Sequence, residues 1–193
     1  MRKGFLLCSL LVLFAVTTLD ASERWRVEFK PIKMDRVVVK SGETATPYWY
    51  LVYTVKNPTD EAVNLSLSIK ARSDVGKLSY TEWYNPEALA AIKAREGKAI
   101  KNVREMRCEI GPGESKKAVA LFRNVHEGTD LVEIQVSGLW DRVYREKDRL
   151  VFEDRVLNVY YFRPGDEYYP QFDNFTFKKS KWVVLNRREK AFR

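Results

Sequence analysis

The stretch YWYLVYTVKNPTDEAVNLSLSIKA, residues 48–71, decides how the chain is read. Its second half alternates: Val63, Leu65, Leu67, Ile69 and Ala71 are apolar, and Asn64, Ser66, Ser68 and Lys70 between them are polar. Successive side chains of a strand point to opposite faces, so this period of two turns one face to a core and the other to water. In the first half Trp49, Leu51, Tyr53 and Val55 make the matching apolar row. Between the halves Asn57 opens a type I turn, Pro58 presets its first central dihedral, and Asp60 closes it. The stretch is expected to fold as a hairpin of two half-buried strands, which needs a second layer to be stable.

The flanks supply that layer. Upstream, Trp25, Val27 and Phe29 alternate with charged residues as a first strand that Pro31 interrupts, and Val37, Val38 and Val39 resume before a turn at Ser41, Gly42 and Glu43. Residues 73–107 carry no sustained alternation but hold one punctuated helix, at about residues 86–96. Asn85 is its N-cap, Pro86 its first helical residue, and Glu87 sits near the positive end of the dipole. Ala88, Leu89, Ala91 and Ile92 form its apolar stripe, Tyr84 packs on Leu89 as a staple, and Gly97 is a left-handed stop.

Gly111, Pro112, Gly113 and Glu114 then form a type II turn. Residues 117–125 are a strand with Ala118 and Ala120 on one side and Val119 and Leu121 on the other. After a turn at 126–130, residues 131–139 are a strand with Val132, Ile134 and Val136 inward. The charged stretch 141–149 reads as a solvated connection, and 150–162 as a long extended run. A second Pro-Gly turn at 163–166 opens a loop. Residues 175–185 give a last strand or pair of strands, and the basic end from Asn186 frays. So many short strands between turns imply a mostly β fold, a sandwich of two sheets with one inserted helix.

The first residues are an address. Arg2 and Lys3, the apolar run at 5–16 and the small residue Ala21 describe a secretory signal peptide spanning 1–21. The apolar run is shorter than the ~20 residues a membrane span needs, and no later segment could cross. Cys8, preceded by Leu7, is not read as a lipid-attachment site. This leaves one β-sandwich domain at 22–186 and a basic tail at 187–193, in a periplasmic or extracellular setting. Lys and Arg number 34 against 26 Asp and Glu, and a net charge of +8 favours anionic neighbours. Only Cys108 survives cleavage, so no internal disulfide is possible; its alternation with Met106 and Ile110 makes it a buried, inert thiol.

Tyr53-x-Val55-x-Asn57-Pro58-Thr59-Asp60, followed by Leu65-x-Leu67-x-Ile69, resembles immunoglobulin-like accessory domains of bacterial envelope and secreted proteins. Ile110-Gly111-Pro112-Gly113-Glu114-Ser115, an alternating strand to Phe122, and Ile134-x-Val136-x-Gly138-Leu139 continue the likeness. It covers residues 48–139, and the insertion at 73–107, the long C-terminal part and the lack of an inter-sheet cysteine pair depart from it. The resemblance implies an immunoglobulin-like β-sandwich with a spacer, adhesion or partner-binding role and no shared catalytic residues.

No catalytic set is legible. His126, the one histidine, falls in a turn far in sequence from Cys108, and a metal site of His/Cys type lacks ligands. Asp166, Glu167 and Asp173 are dense enough in oxygen to suggest Ca²⁺, but lack EF-hand spacing and lie beside Arg163, so no cofactor is expected. Trp83 and Tyr84 before the helix, with Tyr168, Tyr169 and Phe172 beside the loop acids, form the candidate partner or ligand surface; the alternative is that these rings seal the sandwich ends. Lys178, Lys179, Lys181, Arg187, Arg188 and Lys190 around Trp182 suit an anionic envelope polymer, and export disfavours nucleic acid. Asn64 and Asn174 begin glycosylation sequons, relevant only in a eukaryote. The expected function is a non-enzymatic exported module contacting another envelope protein or polymer. The alternative is a carbohydrate-binding module or a carboxylate-based glycan hydrolase at the 166–173 loop. Homo-oligomerisation is not legible.

Overall fold

The computed structural model describes residues 23–126, 128–163 and 175–191. In chain order the first elements are β1 (Glu23–Arg26), β2 (Glu28–Ser41), β3 (Thr44–Lys56), β4 (Val63–Asn64), β5 (Ser68–Ser73), β6 (Ser79–Thr81) and α1 (Pro86–Glu96). There follow β7 (Lys101–Asn102), β8 (Glu109–Ile110), β9 (Ser115–Arg123), β10 (Leu131–Ser137), β11 (Trp140–Glu146), β12 (Arg149–Phe162) and β13 (Thr176–Ala191). One sheet runs β1-β11-β12-β10-β5-β6, with β13 along the other edge of β12; the second runs β2-β3-β9-β7, and β4 pairs with β8. Leu51 and Tyr53 of β3 and Ala118 and Ala120 of β9 share one buried core with Ile69, Ile134 and Val159 of the first sheet. The architecture is therefore a β-sandwich with one inserted helix, as the alternation implies.

The 48–71 stretch, however, is not a hairpin. β3 pairs with β2 and β9, whereas β5 pairs with β10 and β6. Residues 57–60 carry the chain from one sheet to the other, and β3 makes its hairpin with β2 around Gly42, whose φ is +60°. The reason lies in Asn57, which is fully buried. Its N–H donates to the Glu114 carbonyl at 3.0 Å, and its carbonyl accepts from Gly113 at 2.9 Å, so the crossover is tied to the Pro112–Gly113 turn of the chain before β9. The alternation itself survives: Val63, Leu65, Leu67, Ile69 and Ala71 are all buried.

β3 is also buried on both faces. Trp49, Leu51, Tyr53 and Val55 face the sandwich core, while Tyr48, Tyr50 and Val52 pack with Ala88, Leu89 and Ile92 of α1. The helix forms where its signals place it. Asn85 is extended at φ −137°, its Oδ1 accepts from Ala88 N–H at 2.8 Å, and its Nδ2 donates to the Tyr48 hydroxyl at 3.1 Å. Gly97 ends it at φ 109° and ψ 141°, outside the left-handed helical region expected, with its N–H on the Lys93 carbonyl. The far end is tied down by the Tyr50 hydroxyl, which donates to Glu96 at 3.0 Å.

Four further expectations are corrected. The first strand divides at Val27, β1 joining the first sheet and β2 the second; Pro31 does not end β2, because β2 is an edge strand with a register shift between Pro31 and Lys33. The charged 141–149 stretch is not a loop but β11 and the turn into β12, where Arg142 meets Glu153 across the ladder at 3.2 Å. The C-terminal end does not fray at Asn186, since β13 stays paired to β12 as far as Ala191. Cys108 is half-buried, with Lys116 Nζ 3.4 Å from its sulfur.

Candidate functional site

β6 leaves β5 after the Lys70–Thr81 pair, and two residues later Trp83 donates its N–H to the Leu121 carbonyl of the facing sheet at 2.8 Å. This crossing parts the sheet edge from the chain that covered it and opens a cleft of about 760 Å³. Leu67 and Ile69 line one side, Glu82, Trp83 and Tyr84 a second, and Val103, Arg104 and Arg107 a third. Trp83 and Tyr84 are 46% and 40% exposed, and each ring is braced by a cation: Arg123 lies 5.7 Å from the Trp83 ring and Arg104 4.3 Å from that of Tyr84. Large, half-exposed rings held by guanidinium groups are pre-set contact surfaces.

Glu82 is the residue that sequence reasoning missed. Burial pushes its carboxyl up to about 8, against the opposing charge of Arg107. Its Oε1 is buried without a hydrogen-bond partner, as is the Tyr53 hydroxyl, which burial and then the Glu82 charge push well above the usual phenol range. At neutral pH the Glu82 carboxyl therefore holds its proton, and Lys70, Arg104 and Arg107 set the sign of the cleft. Nothing in the flanking residues Thr81 and Trp83 signals this, because the effect arises from what packs over the side chain.

Of the surface expected from sequence, Trp83 and Tyr84 are brought together in the cleft wall. Asp166, Glu167, Tyr168, Tyr169, Phe172 and Asp173 lie outside the described residues. His126 is exposed in its turn, its Nδ1 accepting from Gly128 N–H at 3.1 Å. Four of the six basic residues of β13 fall into two groups. Arg187 pairs with Glu146 and Arg188 with Asp154, while Lys178 and Lys179 lie over the rings of Phe162 and Tyr160. Trp182 meets Trp140 edge-on at 5.2 Å, and Arg26, Arg142 and Arg155 all lie over the Trp140 ring. Among the described residues no group of three His, Cys, Asp or Glu side chains could hold a metal, and no helix is long and apolar enough to cross a membrane.

The fold and the cleft define a mostly β, sandwich-like protein with an aromatic, cation-walled groove at the split between its sheets. The chain matches no protein-family model, no curated protein and no solved structure.

Proposed function

We propose that the protein is an exported, non-enzymatic binding module, of the kind of immunoglobulin-like accessory domains of bacterial envelopes, which holds another envelope component in the cleft beside Trp83 and Tyr84. One observation carries this reading: two adjacent aromatic side chains, each half-exposed and each braced by an arginine, flank an open cleft of about 760 Å³. Such rings contribute more as contact surface than as core, since nearly half of each stays in water. Glu82 is the one acid among the cleft-lining residues, so the cleft is read as a contact surface; the 166–173 loop, where an acid pair for glycan cleavage is the alternative, lies outside the described residues. Double substitution Trp83→Ala and Tyr84→Ala is expected to abolish co-purification of the partner from the native envelope while leaving the thermal midpoint nearly unchanged. Retained capture, or unfolding of the variant, would overturn the reading. A carbohydrate-binding module is the second reading, favoured by the same exposed indole, and binding on a glycan array that is lost with Trp83→Ala would select it.

A further inference from the structure

Leu67 lies at a gap in a hydrogen-bonded edge. From Ser68 to Asp74 the even-numbered residues turn their backbone groups toward β10, and the odd-numbered Leu65 and Ser73 turn theirs to the opposite side. Asp74 N–H donates to the Leu131 carbonyl at 3.2 Å on the β10 side, while Leu65 donates to Cys108 at 3.0 Å and Ser73 to Leu78 at 2.8 Å on the other. That second edge is covered twice, by residues 108–110 at one end and by β6 at the other. Between the two covers, Leu67, its side chain buried in the core, borders the cleft with its main chain, and its N–H and C=O have no backbone partner among the described residues. Main-chain groups at such a position need a partner, and an added strand supplies a donor and an acceptor together.

The walls state what that strand should carry. Lys70, Arg104 and Arg107 present cations along the cleft, and Glu82, protonated at neutral pH, does not offset them. Alternate side chains of an extended segment would reach these cations, and the intervening ones would meet Trp83, Tyr84 and Val103.

We propose that the cleft receives an extended, acidic segment of a partner protein, which pairs its main chain with Leu67 and completes the edge that β6 leaves short. This rests on the reading of the cleft as a binding site and adds the class of partner and the mode of contact.

The test uses the full chain and four end-blocked peptides: alternating Glu and Val, its Gln/Val and Lys/Val counterparts, and the Glu/Val peptide N-methylated at every amide. The Glu/Val peptide is expected to bind and to slow hydrogen exchange at the Leu67 amide. Gln/Val should bind about tenfold more weakly, as the charge-assisted contacts are lost. Lys/Val and the N-methylated peptide should not bind. Arg107→Gln, which leaves Arg104 over the Tyr84 ring, should narrow the preference for Glu over Gln, read as the ratio of the two affinities. Equal binding of the N-methylated peptide, or binding without protection of Leu67, would overturn main-chain pairing. Failure of every peptide while capture of the envelope partner still depends on Trp83 and Tyr84 would overturn this inference and leave the binding module standing; failure of both would remove the site altogether.

Discussion

The side-chain amide of Asn57 donates to the Ile110 carbonyl at 3.1 Å, joining the crossover between the two sheets to the turn that precedes β9. The same Nδ2 serves Glu61 at 2.7 Å and Gly111 at 3.2 Å, and Oδ1 accepts from the Thr59 N–H and hydroxyl. Asn57→Ala leaves the buried Ile110 carbonyl without this donor and frees the half-buried groups around it. A loss of about 2–4 kcal/mol in urea unfolding is expected. Asn57→Asp should do little better, since a carboxylate accepts and cannot donate to the carbonyls.

Gly138 separates β10 from β11 at φ +79°, and a Cβ there would lie 2.2 Å from the Ser66 carbonyl oxygen. Gly138→Ala is expected to cost more than about 3 kcal/mol, combining the left-handed conformation with the clash. Gly42→Ala is the control: its φ is +60° but nothing lies within 4 Å of the added atom, so about 1 kcal/mol is expected.

Helix and alternation were legible in the chain because their causes are local. Asn85 followed by Pro86 caps a helix whatever surrounds it, and Val63 to Ala71 can bury only one face. Partners were not legible. Periodicity says which face of β5 is inside but not that its neighbour is β10, a choice made by contacts such as Asn57 with Ile110. The charges of 141–149 looked like solvated loop because each was counted alone, whereas β11 places Arg142 beside Glu153. Two residues of the cleft wall, Trp83 and Tyr84, could be named from residue type and position beside a helix start. Glu82 could not, since a carboxyl becomes unusual only through what covers it.

Stability should carry the mark of Glu82. Its folded value is raised to about 8 from an ordinary 4.5, so between those values the folded protein holds a proton that the unfolded chain releases. Stability should therefore fall as pH rises from about 4.5 to about 8 and then level off. Glu82→Gln keeps the shape and removes the titration. The variant should match the parent near pH 5 and exceed it by roughly 1–3 kcal/mol at pH 9, read by urea midpoints across that range.

Glu153 should act in the opposite sense. Burial alone would raise its carboxyl, but hydrogen bonds from the Tyr144 hydroxyl at 2.8 Å and from Arg155, with the charges of Arg155 and Arg142, carry it below the usual carboxylate range. Its contribution is present above the unfolded value and is lost as pH falls through the lower folded one. Glu153→Gln is expected to cost about 1–3 kcal/mol at pH 7 and to flatten the acid side of the profile. Trp140, crowded by Arg142 and Arg155, offers a fluorescence readout local to the change.

The pairing of Glu23 with Arg142 sets a timetable for assembly. A chain emerging from its N-terminus has its first strand in hand long before the partner exists, and the intervening polymer must be ordered before that rung can close. The entropy of closing so long a loop is a cost that local hairpins do not carry, so the seam between β1 and β11 should be made after them and, under stress, part before them.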